Sequence, residues 1–196
     1  MRIIGGEFRS RLIEMPKGVE IRPTQDKVRQ AIFNVLGNVA GTNVLELFAG
    51  SGAFGIEAIS RGAKYVTFVD NNSMCIKTMT KNLESLNVPD SKYELIWANA
   101  LSVFPRMEKE GNKYDLIFLD PPYYKNIARK CLSNIDAYDI LSPRSLVVIE
   151  HFKKDSLALD LNTLVFEKEK QYGDTLISIF RKKLDETQDS GLSRDI

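Results

Sequence analysis

With 196 residues and 43% hydrophobic content, the chain can bury one good core, and a single domain is the default. A formal net charge of +1 excludes a molecule-wide field that would draw it to polyanions, so any nucleic-acid contact must come from local clustering of charge. Cys75 and Cys131 are too few and too far apart for a disulfide framework or a zinc site, and no signal peptide or membrane-length apolar run appears, so reduced thiols and a cytoplasmic location are expected.

In chain order, the first stretch is basic: from Met1 to Arg29, Arg2, Arg9, Arg11, Lys17, Arg22, Lys27 and Arg29 outnumber Glu7, Glu14, Glu20 and Asp26 by three. Solvated surface charge accounts for this as readily as a phosphate-binding arm does. Thr24 is placed to cap a helix with the apolar face Val28, Ala31, Ile32, Val35 and Leu36, stopped at Gly37. A strand follows from Asn43 to Phe48, then a helix from about Ala53 to Arg61 closing at Gly62, and a second strand, Tyr65 to Asp70. Ser73 is expected to cap a helix with the buried stripe Ile76, Met79, Leu83 and Leu86. A third strand spans Tyr93 to Trp97, a short helix Leu101 to Met107, and a fourth strand ends at Leu119. A helix near Asn126 to Ile135 and a fifth strand, Ser145 to Glu150, precede a hairpin of Leu164–Lys170 and Thr175–Arg181 turning at Gly173-Asp174. This alternation predicts a mostly parallel α/β sheet. The end from Asp185 to Ile196 is polar and mildly acidic, and reads as disordered.

Two turns carry the chemistry. After the first strand, Ala49-Gly50-Ser51-Gly52-Ala53-Phe54-Gly55 fits G-x-G-x-x-G, which permits a tight turn and lets a ligand approach the backbone at the start of a helix. Asp70, about 20 residues on at the end of the next strand, stands where an acid takes ribose hydroxyls. A nicotinamide cofactor would fit that much. Glu46, inside the first strand, favours a cationic ligand end over a pyrophosphate and so tilts the choice toward S-adenosylmethionine.

The second turn, Asp120-Pro121-Pro122-Tyr123, follows the apolar run Leu116–Leu119. Two prolines have no N–H to extend a ladder, so the strand stops and its carbonyls become acceptors. A planar amino group has two protons to place, for which Asp120 and the Pro121 carbonyl are acceptors. Tyr123 offers a face for a base to stack on, typically worth about 1–3 kcal/mol. In an open α/β sheet both turns would border one crevice. The lone His151 is not needed as a general base, and Trp97 is expected to pack in the third strand.

The pairing of Glu-Leu-Phe-Ala-Gly-Ser-Gly with Asp-Pro-Pro-Tyr resembles the class I methyltransferases, and more closely the 16S ribosomal RNA guanine-N2 methyltransferases of the RsmD type. Arg2-Ile3-Ile4-Gly5-Gly6 with Arg9–Leu12 looks like that family's opening hairpin, Arg22-Pro23-Thr24 through Asn34 like its first helix, and Tyr172–Thr175 like its closing turn. The resemblance covers Met1 to Lys183. It implies a Rossmann-like seven-stranded sheet with a C-terminal antiparallel hairpin, organised as a hairpin extension (1–23), a methyltransferase domain (24–183) and a tail (184–196).

The same resemblance implies a cofactor site of Glu46, Phe48, Ala49, Gly50, Ser51, Gly52, Asp70, Asn71, Asn99 and Ala100. It further implies catalysis by Asp120, Pro121, Pro122 and Tyr123, and RNA contacts by Arg2, Arg9, Arg11 and Arg22. Arg22 and Thr24 are equally suited to cofactor or RNA. The implied partner is 16S rRNA or a small-subunit assembly intermediate, with S-adenosylmethionine as cofactor, no metal, no membrane and a monomeric enzyme. Three other readings compete. A DNA amino methyltransferase shares the Asp-Pro-Pro-Tyr logic but calls for a target-recognition domain, a nicotinamide oxidoreductase would use the glycine turn, and a non-catalytic RNA-binding module would keep only a vestigial crevice.

Overall fold

The computed structural model describes residues 1–18, 26–123, 126–157 and 159–184. Its elements are α1 (Asp26–Leu36), β1 (Asn43–Leu47), α2 (Ala53–Ser60), β2 (Tyr65–Asp70), α3 (Ser73–Ser85), a 3-10 turn at Asp90–Lys92, β3 (Tyr93–Trp97), α4 (Phe104–Lys109), β4 (Tyr114–Leu119), α5 (Ile127–Ala137), β5 (Leu141–Phe152), β6 (Leu164–Tyr172) and β7 (Thr175–Lys182). All seven strands join one sheet in the order β3-β2-β1-β4-β5-β7-β6. The first five are mutually parallel, while β7 runs antiparallel between β5 and β6. Moving outward from β1 through β2 to β3 and returning to β4 puts the reversal of strand order between β1 and β4. The crevice above their carboxyl ends is where such a sheet binds ligands.

Burial on both faces explains why the parallel strands read as continuous apolar runs. Val44, Val66, Phe68, Leu116, Phe118 and Val148 meet α1, α2 and α3 on one face. Leu45, Leu47, Val69, Ile117, Leu119 and Val147 meet α4 and α5 on the other. The edge strand β6 carries Glu167, Lys168, Glu169 and Lys170, all exposed, a charge pattern that opposes pairing with another sheet.

Several sequence expectations shift. α1 buries Val28, Arg29, Ile32 and Phe33 while Val35 is exposed, because the partners of α1 include the N-terminal hairpin and its buried face rotates toward them. Asn72, not Ser73, caps α3, accepting the Met74 N–H on its side chain. α4 starts at Phe104 rather than Leu101, since Asn99 accepts the Leu101 and Ser102 N–H groups and holds a turn first. β5 starts at Leu141, four residues early, because its pairing with β4 shifts register between Tyr114 and Leu116 and absorbs Pro143 and Arg144 (φ 63°). The Thr24 cap, Arg22 and the tail from Asp185 lie outside the described residues.

The opening hairpin is present, with a bridge between Arg2 and Leu12 and backbone bonds from Ile3 to Arg11 and from Ile13 to Met1. Ile3, Phe8 and Ile13 are buried in the core on the α2 and α3 face, so the hairpin is packed on the sheet layers rather than projecting from them.

Candidate functional site

At the carboxyl end of β1 the chain turns sharply through Phe48, held at φ 60°, and Gly50 at φ 57°. A bulky residue with positive φ is costly, and such strain clusters at ligand sites. The Gly50 N–H donates to Asp70 Oδ2 (2.8 Å), the Ala49 N–H to the Val69 carbonyl (3.1 Å), and the Gly52 N–H to the Ala49 carbonyl (2.7 Å). The glycine turn is thus tied to the end of β2, and Asp70, half-buried, also accepts the Asn72 N–H on Oδ1 (2.8 Å). A carboxylate accepts about four hydrogen bonds, so Asp70 retains capacity for a ribose hydroxyl.

Glu46 lies at the base of the glycine loop. Its side chain lies under the turn, 3% exposed, accepting N–H groups of Phe54 (3.3 Å) and Gly55 (2.8 Å) at the start of α2. Gly55 must be glycine, because a Cβ there would sit 2.4 Å from Phe68 Cε1 and 2.8 Å from Glu46 Oε2. Burial pushes the Glu46 carboxyl up to about 8, against the lowering effect of those two backbone bonds and with a further push from the Asp70 charge. The folded protein therefore holds a proton there that the unfolded chain, titrating near 4.5, gives up. That contribution to stability is fully present below about pH 4.5 and is lost as pH rises through about 8. His151 acts with opposite sign, since burial lowers it, giving stability above its ordinary 6.5 that is lost on acidification. Comparing urea unfolding of wild type and Glu46→Gln across pH 5 to 8 isolates the Glu46 part. The mutant's stability should fall less with rising pH, by about one proton's worth of slope.

β4 lies beside β1 with Leu47 opposite Leu119, so Asp120 emerges next to the glycine turn at the strand-order reversal. Asp120 is half-buried, Pro121 buried and Pro122 exposed. The Tyr123 hydroxyl lies 3.0 Å from Thr175 Oγ1 and its ring tilts against Phe152 at 5.6 Å between centroids, which fixes the ring from β5 and β7. Sequence reasoning missed Thr175, whose only signal was its place at the end of a hairpin strand.

Asn71 and Asn99 are exposed at the ends of β2 and β3, and Ala100 is buried beside them. Trp97 contradicts the packing expected of it. It is 68% exposed, one strand outward from Asp70 in register, with its indole N–H on the Asn71 carbonyl (3.0 Å). As the end residue of an edge strand it has no outer neighbour to cover it. His151 is buried with Nε2 2.8 Å from Ser178 Oγ and Nδ1 3.1 Å from the Phe152 carbonyl, a packing role between β5 and β7.

Of the arginines, Arg2, Arg9 and Arg11 are exposed on the hairpin. Arg2 donates to the Ser10 carbonyl and Arg11 to the Ser85 carbonyl on α3, leaving most of their five donors for other partners. Arg29, read as surface charge, is instead 1% exposed and bonded to the Arg2 carbonyl and Asp26. Both cysteines are buried, and burial pushes each thiol up to about 12, helped at Cys75 by the charge of Asp70. Alkylation at pH 8 followed by mass spectrometry should find both thiols protected in the folded protein and reactive in urea.

The family described as Conserved hypothetical protein 95 matches residues 1–181. The Ribosomal RNA small subunit methyltransferase D of Haemophilus influenzae is 33% identical over 170 residues, 86% of this chain and 88% of that protein. Its Escherichia coli K12 namesake is 28% identical over 184 residues, 93% and 90%. Among solved structures, a candidate methyltransferase from Escherichia coli superposes with a TM-score of 0.83 at 27% identity, covering 94% of this chain and 99% of that one. A glycine turn locked to Asp70, an Asp-Pro-Pro-Tyr loop on the adjacent strand and these full-length likenesses agree, and the chain belongs to the ribosomal RNA small subunit methyltransferase D family of class I methyltransferases.

Proposed function

We propose that the protein transfers a methyl group from S-adenosylmethionine to the exocyclic N2 of a guanine in 16S ribosomal RNA. The carrying observation is the emergence of the glycine turn and Asp120 from neighbouring parallel strands at the strand-order reversal, which supports a cofactor and a base meeting in one crevice. The cofactor supplies an activated methyl group on a sulfonium. Asp70 would hold its ribose, Asn71, Asn99 and Ala100 its adenine end, and Phe48 to Gly52 its methionine end. Glu46 serves from beneath by holding the first turn of α2. Asp120 and the Pro121 carbonyl would accept the two amino protons, so that the nitrogen pyramidalises and its lone pair is freed from conjugation with the ring, and the one proton in excess after transfer leaves to water. Pro122 ends the strand and Tyr123, pinned by Thr175, stacks on the base. Positioning of this kind can supply on the order of 7–11 kcal/mol, and it requires neither a metal nor a covalent intermediate.

A guanine locked in a duplex cannot reach the crevice, so the target is unpaired or flipped out. The relatives' names speak of ribosomal RNA and lend the DNA alternative no support. Arg2, Arg9, Arg11 and Arg22 are the proposed phosphate contacts, within a cytoplasmic monomer acting on 16S rRNA or a small-subunit assembly intermediate. Neutralising Arg9 and Arg11 together should flatten the salt dependence of RNA binding by nearly two in the log-log slope, read by fluorescence anisotropy. Incubation with labelled cofactor and either small-subunit RNA or duplex DNA tests the whole reading. N2-methylguanine in the RNA is expected, and label in the DNA alone overturns it.

A further inference from the structure

The N-terminal hairpin and the cofactor turn lie far apart in the chain, yet one buried side chain bonds to both. Asn82, on α3 and 1% exposed, accepts the Glu14 N–H on Oδ1 (2.7 Å) and donates through Nδ2 to the Glu14 carbonyl (3.0 Å) and the Ser51 carbonyl (3.0 Å). Ser51 is the middle residue of Gly50-Ser51-Gly52, and Glu14 directly follows the hairpin strand that pairs with Met1. Asn82 therefore reads the position of both segments through main-chain atoms.

The hairpin is also fastened to α2, the helix that starts at the glycine turn. Ser60 Oγ accepts the Phe8 N–H (2.8 Å) and donates to the Gly5 carbonyl (2.6 Å), while Glu57 accepts the N–H groups of Ile4 and Gly5 (both 2.7 Å). At Gly6 a Cβ would fall 1.8 Å from the Ser60 carbonyl oxygen, so hairpin and helix approach as closely as backbones can. The hairpin thus seats as a body against α2 and α3, and a buried amide loses its partners if either segment shifts.

We propose that Asn82 is a positioning residue that links seating of the hairpin to cofactor affinity, so that RNA held by the hairpin and cofactor held by the glycine turn favour each other's binding. The RNA half of this statement and the seat of the cofactor at the glycine turn rest on the proposed function. The link between hairpin and glycine turn rests on hydrogen bonds. Coupling is reciprocal, so a ligand that orders Ser51 must also hold Glu14 in place.

Amide hydrogen exchange with and without saturating S-adenosylhomocysteine, together with calorimetry, tests it in the full chain. In wild type the ligand should slow exchange at Glu14 about fivefold or more, the lower end of ordinary coupling. Asn82→Ala should bind S-adenosylhomocysteine about fivefold more weakly, raise KM for S-adenosylmethionine more than it lowers kcat, and lose the ligand-dependent protection of Glu14. Unchanged Glu14 exchange in wild type, or wild-type ligand affinity in Asn82→Ala, overturns the proposal. Should Asn82→Ala fail to fold, Glu14→Pro removes the N–H bonded to Asn82 Oδ1 at the cost of fixing φ there, and undiminished ligand affinity in that variant overturns it equally. If the coupling holds while methyl transfer goes to DNA and not RNA, the function falls and the role of Asn82 stands. If RNA is methylated without coupling, the reverse is true.

Discussion

Asp120→Ala should lower turnover on small-subunit RNA by about 10²-fold or more while leaving S-adenosylhomocysteine affinity within about twofold of wild type, because in the proposed mechanism it deletes one of the two acceptors for the amino protons. The separation of the two effects follows from the layout. Asp120 leaves β4, whereas the contacts that shape the glycine turn come from β1, β2, α2 and α3. Asp120→Asn keeps one acceptor oxygen but can present an amide that donates instead, so its loss should be smaller than that of alanine. Single-turnover methyl transfer with excess enzyme reads the chemical step directly. Near-normal rates in Asp120→Ala would remove Asp120 from the mechanism.

The largest stability effect is expected at Glu57, a residue with no role in transfer. Its carboxylate is fully buried in α2 and accepts from Ile4 N, Gly5 N and Arg61 Nε (2.8 Å), with Arg29 Nε 3.8 Å away. Arg29 is itself buried, and its Nε lacks a hydrogen bond among the described residues. Removing the carboxylate therefore strands two backbone donors and leaves the buried Arg29 with only the exposed Asp26 as counter-charge. Glu57→Ala should cost about 3–5 kcal/mol, a drop in Tm on the order of 10 °C. Glu57→Gln keeps one acceptor oxygen and should cost about 1–3 kcal/mol. Urea unfolding at pH 7 measures both. An alanine variant within roughly 1 kcal/mol of wild type would show that the hairpin clamp contributes little.

Much of the fold was legible because its signals are local. β3 and β4 end where their apolar runs end, and α2 starts directly after Gly52. The sequence places the start of β5 at Ser145, after Pro143, and only its neighbour β4 shows that a register shift accommodates the proline within a strand from Leu141. At α1 the periodicity was right in type and wrong in phase. Helical spacing names an apolar stripe, but the partner decides which flank is covered, and here Arg29 and Phe33 turn inward while Val35 faces out.

The site divides along the same line. Each half of the proposed crevice is a contiguous run of residues, Glu46 to Gly52 and Asp120 to Tyr123, so composition and order alone suffice to propose a cofactor turn and a pocket for a planar amine. What those runs rest on was invisible. Thr175 behind Tyr123, Asn82 behind Ser51 and Glu57 behind the hairpin are separated from their partners by tens of residues, and each is an ordinary polar residue until the chain closes around it. Glu46 shows the contrast in one side chain. The sequence alone established that an acid stands before the glycine turn, because strand and turn are read from neighbours. Only the tertiary structure decided that the acid faces the first N–H groups of α2 from a site closed to water, since burial and direction depend on which surfaces meet.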